Sequence, residues 1–135
     1  MNAGDCGEKK PASRRINSFR ELNVYRDACA LDETIFNETK KWPKEEKFAL
    51  IDQIRRSSRA IGANLAESWA KRRYPAHFIS KLTDADGELQ ETEHWLNRAQ
   101  TYGYLSHHDC ELLSSRCQAI GRQIGRMIQA PGLFC

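Results

Sequence analysis

The chain has 135 residues, a net charge of +3, and 29% charged against 40% hydrophobic residues, the size of one domain with an ordinary globular balance. No apolar run approaches the roughly 18 residues of a membrane span. The stretch MNAGDCGEKKPASRR (1–15) lacks the apolar centre of a secretory leader, so the cytoplasm is the expected compartment. Cys6, Cys29, Cys110, Cys117 and Cys135 form an odd set without framework spacing, which reads as free thiols.

Residues 1–17 mix Gly, Lys, Pro, Ser and Asn without periodicity and predict a disordered tail. Ser18 then suits the cap of a first helix, with Glu21 as its capping-box partner. Val24, Ala28, Leu31 and Ile35 recur at helical steps, widened by Tyr25 and Phe36, until Trp42-Pro43 breaks the pattern. Pro43 fits the first position of a second helix, followed by Glu45 and Glu46 near its positive end. That helix is predicted over about 44–72, roughly 42 Å long, with Ile51, Ile54, Ser58, Ile61 and Leu65 inward. Tyr74-Pro75 ends it. The third helix carries the most regular stripe, Phe78, Leu82, Ala85, Leu89, Thr92, Leu96 and Ala99, and stops at Tyr102-Gly103. Ser106 can cap a fourth, in which Leu113, Cys117, Ile120, Ile124 and Met127 keep the step, and Pro131-Gly132 closes it. The glycines of IGRQIGR, Gly121 and Gly125, predict close packing there.

No alternating strand pattern competes. Short connections force antiparallel neighbours, so the expected fold is all-α, an antiparallel up-down-up-down four-helix bundle over 18–130, followed by a short C-terminal tail at 131–135. The second helix is unusual. Ala63, Ala66 and Ala70 lie with Arg59 opposite its core face, where water normally selects Lys and Glu. Gly62, Ser57, Ser58 and Ser68 add small residues that helix propensity does not favour. A helix that is small or apolar nearly all round is normally buried all round, which predicts a subunit interface containing Ala63, Asn64, Ala66, Glu67 and Ala70. If buried there, Glu67 needs backbone donors or a basic partner, for example an arginine across the interface.

Charge is unevenly placed. Residues 55–73 hold six basic residues and one acid, whereas 75–102 hold two basic and five acidic residues. Arg55, Arg56, Arg59, Lys71, Arg72 and Arg73 are therefore candidate nucleic-acid contacts, since clustered cations neutralise phosphates without sequence preference. The competing reading for the three central arginines is ion pairing with the acidic third helix, through Asp86 and Glu93. For Lys71, Arg72 and Arg73 it is simple solvation. Arg14 and Arg15 could add attraction from the tail. Metal sites are not expected. His107, His108, Cys110 and Cys117 lack ligand spacing. Glu91-Thr92-Glu93-His94 is a single Glu-x-x-His, where a di-iron bundle needs two such pairs and further inward glutamates. No phosphate loop, nucleophile elbow or HExxH occurs, so no catalytic residue or cofactor is predicted.

Three stretches, FRELNVYRDA, WPKEEKFALIDQIRRSSRAIGANLAES and HFISKLTDADGELQETEHWLNRAQTYGYL, resemble the four-helix-bundle family of 23S rRNA intervening-sequence proteins. The most specific block is Gln53-Ile54-Arg55-Arg56 with Asn64-Leu65-Ala66-Glu67. Ser68 stands where the family has glycine, and Ala85-Asp86-Gly87-Glu88 where it has Ala-x-Gly-Ser. The resemblance implies a homopentamer without established catalytic activity. The accessory variability determinant of diversity-generating retroelements shares this fold and is a basic pentamer working with a reverse transcriptase and nucleic acid. The expected function is a non-enzymatic, self-assembling scaffold that engages RNA or DNA, or a nucleic-acid enzyme such as a reverse transcriptase. The alternative is a structural or protein-interaction module without nucleic acid.

Overall fold

The computed structural model describes residues 16–135. Its four α-helices are α1 (Asn23–Thr39), α2 (Leu50–Ala70), α3 (Pro75–Thr101) and α4 (His107–Gln129), and no strand occurs among the described residues. Each helix packs on its two neighbours in the cycle α1–α2–α3–α4, the α2–α3 seam being the most extensive. The result is the antiparallel four-helix bundle that the short connections dictate. No helix of the described residues is long and apolar enough to cross a membrane.

The four periodic stripes all point inward. Val24, Leu31 and Ile35 of α1, Ile54, Ile61 and Leu65 of α2, Phe78, Leu82, Leu89 and Leu96 of α3, and Cys117, Ile120 and Ile124 of α4 are buried together. The polar members of these stripes are paired. Thr92 donates to the Ser57 hydroxyl at 2.9 Å across the α2–α3 seam, and Ser57 donates to the Ile54 carbonyl. No buried side-chain N or O among the described residues lacks a partner.

Helix ends differ from the predicted ones in instructive ways. The Ser18/Glu21 capping box forms, but it encloses a short 3-10 turn, Phe19–Glu21, and α1 begins only at Asn23. The second helix starts at Leu50 rather than near 44, because Lys44–Glu46 forms its own 3-10 turn. Glu46 explains the late start. Its carboxylate accepts the Leu50 amide at 3.3 Å and the Tyr104 hydroxyl at 2.8 Å, so it caps α2 and ties that end to the α3–α4 turn. Tyr102-Gly103 stops α3 with Gly103 at φ +82°, a conformation that glycine adopts without strain. Ser106 caps α4 by accepting from the Asp109 amide at 3.0 Å. The last residues fold back. Phe134 stacks on Phe78 with ring centroids 6.0 Å apart, and Cys135 is buried.

Candidate assembly face and basic end

The outer side of α2 divides into two kinds of surface. Ala63 and Ala70 are exposed, and Asn64 and Ala66 are partly covered, with Asn64 donating to the Ala60 carbonyl at 3.0 Å. Glu67 is exposed and meets Lys81 of α3 at 2.9 Å, which holds its carboxyl below the usual glutamate range. Within the chain, the basic partner of Glu67 is thus a lysine of α3. The other small residues of α2 are also used within the chain. Ser57, Ser58 and Ser68 are buried, the Ser68 hydroxyl donating to the Leu65 carbonyl at 2.7 Å. Gly62 faces α1, where a Cβ would stand 3.6 Å from Tyr25 and 3.7 Å from the Cys29 sulfur. Their smallness lets α1 and α3 approach α2 closely. What faces outward is narrower than predicted, an alanine stripe.

The central arginines do not pair with Asp86 and Glu93. Arg55 turns to α1 instead, donating to the Thr39 hydroxyl at 2.8 Å and the Phe36 carbonyl at 3.4 Å, with its guanidinium 4.6 Å from the centre of the Phe36 ring. Arg59 joins it over the same ring at 5.7 Å, and burial holds the nearby Asp32 carboxyl above its usual range, an effect that the Arg59 charge only partly offsets. Phe36 is aromatic at a stripe edge, and that is what captures two guanidinium groups. Arg56 is exposed and reaches Asp52 at 3.9 Å. Asp86 and Glu93 face α4, where both line a cleft with Gln118 and Arg122.

At the far end of α2, Arg72 folds back over Trp69, its guanidinium 3.5 Å from the ring centre and its Nε donating to the Trp69 carbonyl at 2.9 Å. Lys71 and Arg73 remain exposed. The antiparallel order places the start of α1 and the end of α4 at this same end of the bundle, adding exposed Arg20, Arg26 and Arg126. Two nearby acids are engaged, Glu21 in the capping box and Glu67 with Lys81. Tyr74, 58% exposed, leans on the His77 ring at 5.4 Å beside Arg73. Arg20, Arg26, Arg126 and Tyr74 carry no local signal of this end, because they are remote in sequence or follow a helix stop. Arg14, Arg15 and Cys6 lie outside the described residues.

Glu91 accepts from the Trp95 indole at 3.1 Å, and His94 packs edge-on against that ring at 4.7 Å. No three described His, Cys, Asp or Glu side chains converge to hold a metal ion. Cys29, Cys110 and Cys117 are free thiols. Cys110 donates weakly toward the Leu96 carbonyl at 3.6 Å. Of the two α4 glycines, only Gly121 sits in a close approach, a Cβ there falling 3.3 Å from Leu89, while Gly125 has open space.

Two predictions arise from this region. Burial pushes the Cys117 thiol up to about 12, so at about pH 8 only ~10⁻⁴ of it is thiolate, the form that alkylates. Iodoacetamide followed by peptide mapping should mark the half-buried Cys29 in the folded chain and reach Cys117 only in denaturant. Glu93 is the second case. Burial raises its carboxyl above the usual range, partly offset by a hydrogen bond from Gln118. The folded state therefore binds this proton more tightly than the unfolded one, and stability falls as pH rises through the window above about 4.3. Glu93→Gln should raise Tm near neutral pH, and the gain should shrink as the pH is taken down through that window.

The bundle thus leaves an alanine stripe uncovered on α2 and gathers cations at one end. The sequence matches the 23S rRNA-intervening sequence protein family over residues 20–126, and the chain belongs to that family. A crystal structure of a protein of unknown function from the S23 ribosomal protein family of Bacteroides thetaiotaomicron is similar, with 30% identity and a TM-score of 0.71. The similarity covers 78% of this chain and 98% of that one. No curated protein matches the chain.

Proposed function

We propose that this protein is a non-enzymatic, cytoplasmic homo-oligomer, a pentamer as its family resemblance implies, that binds RNA or DNA through the basic end of its bundle. It acts there on nucleic acid directly or alongside a nucleic-acid enzyme such as a reverse transcriptase. The observation that carries this reading is the gathering of Arg20, Arg26, Lys71, Arg73 and Arg126, all exposed, at one end, around the starts of α1 and α3 and the ends of α2 and α4. Each neutralised phosphate releases counterions, so such a patch binds without sequence preference and weakens with salt. A ring repeats the patch once per subunit, and Tyr74 offers each a ring face for an unstacked base.

Assembly is supported by the outward stripe of Ala63, Ala66 and Ala70, which spends no charge on water. Light scattering tests this half. The expected mass is five times the 15.5 kDa of one chain, and a single-chain mass in dilute buffer overturns it. A mobility-shift series over salt tests the other half. Micromolar binding that falls steeply with salt is expected, and no binding at low salt leaves the structural or protein-interaction reading in its place.

A further inference from the structure

The end of the bundle away from the basic patch carries two features that the alanine stripe does not absorb. Phe48, in the turn just before α2, is 88% exposed, with the Lys47 ammonium 5.4 Å from its ring centre. At the same end a groove of about 510 Å³ opens between the α2 start and the α3–α4 turn, lined by Leu50, Gln53, Trp95, Tyr102 and Tyr104. Single exposed apolar residues are common on proteins and by themselves mean nothing. Here an aromatic projection and an aromatic groove stand at one height on the molecule, and Phe48 does not line the groove beside it.

Their charges are complementary. Exposed Lys44 and Lys47 flank Phe48. The groove is edged by Glu46, which accepts from Tyr104 at 2.8 Å, and by Glu91, which accepts from Trp95 at 3.1 Å. Glu45 is near enough to help raise the Tyr104 phenol. Arg98 brings a cation close by, stacked over Tyr102 at 5.0 Å. Carboxylates at the rim repel phosphate, which disfavours a nucleobase as the occupant and favours a lysine-flanked aromatic ring.

We infer that Phe48 of one copy inserts into the Trp95/Tyr102/Tyr104 groove of the next, with Lys44 and Lys47 against Glu45, Glu46 and Glu91. This rests on the assembly reading above and specifies its contact. The projection and the groove are different surfaces, so the contact is head-to-tail. Repeated with a rotation that closes, such a contact builds a ring. An aromatic anchor in a dry pocket is the kind of residue that dominates an interface.

The test uses the full chain with two substitutions measured apart and mixed. Phe48→Glu removes the projection and keeps the groove, while Tyr102→Glu blocks the groove and keeps the projection. Sedimentation should show each alone as a single chain. A mixture, well above the concentration at which wild type assembles, should give a one-to-one dimer of twice the chain mass. Circular dichroism checks folding, and Gln53→Trp, which puts a bulky ring at the groove lining, replaces Tyr102→Glu if that variant unfolds. Wild-type mass for Phe48→Glu, or for the groove variant, overturns this contact but leaves assembly through α2 standing. Two single-chain variants that fail to pair when mixed overturn it too. A wild-type protein that is itself a single chain removes both readings.

Discussion

Reversing two charges per subunit, Lys71→Glu with Arg73→Glu, is expected to weaken nucleic-acid binding severely without altering the fold or the assembled mass. Both side chains are exposed, and no ion pair among the described residues uses either. Surface changes of this kind usually shift stability by no more than about 0.5 kcal/mol. The effect on binding is much larger, because a ring repeats each reversal once per subunit. A drop of about 100-fold or more in affinity near 0.1 M salt is expected, with the salt slope flattened by roughly 1 for each phosphate that is no longer neutralised. Arg72 is left in place for a physical reason. It lies flat on Trp69, and removing it would disturb the α2 end through its packing as well as its charge. Affinity unchanged in the double variant would place the nucleic-acid surface elsewhere or nowhere.

The largest effect on stability is expected at Phe78. Phe78→Ala should cost about 3–5 kcal/mol in urea denaturation, the usual loss for a buried phenylalanine, against a total of about 5–15 kcal/mol for a domain. Phe78 is fully buried near the start of α3 and stacks on Phe134. The cavity would therefore loosen both the α3 start and the returning C-terminus. Phe48→Ala is the control, the same chemical change at a ring that is 88% exposed. In denaturant, with chains dissociated, it should change the stability of the single chain by no more than about 0.5 kcal/mol. Equal costs at the two sites would mean that the Phe78 ring is not the anchor its burial makes it.

The architecture was legible in the residues themselves. Hydrophobic steps of three and four need only local geometry to be read, and the stripe from Phe78 to Ala99 lies on one buried face. Stop signals were equally local, as Gly103 at a positive φ and the Ser106 cap show. The α2 start was misread because its cap comes from Glu46, held in place by Tyr104 from a distant turn.

Partners of charged and small residues were not legible, since a helix specifies which face a side chain lies on but not what approaches that face. Arg55 and Arg59 found Phe36 on α1 rather than acids on α3. Glu67 found Lys81. Gly62 and the buried serines, which in sequence suggested a neighbouring subunit, serve close packing inside the chain. The basic end likewise exists only once antiparallel packing brings Arg20, Arg26 and Arg126 beside Lys71 and Arg73. Periodicity along the chain therefore determined the bundle. The tertiary arrangement alone decided its surface, because charge and exposed aromatic area act through distances between segments that the order of residues does not contain.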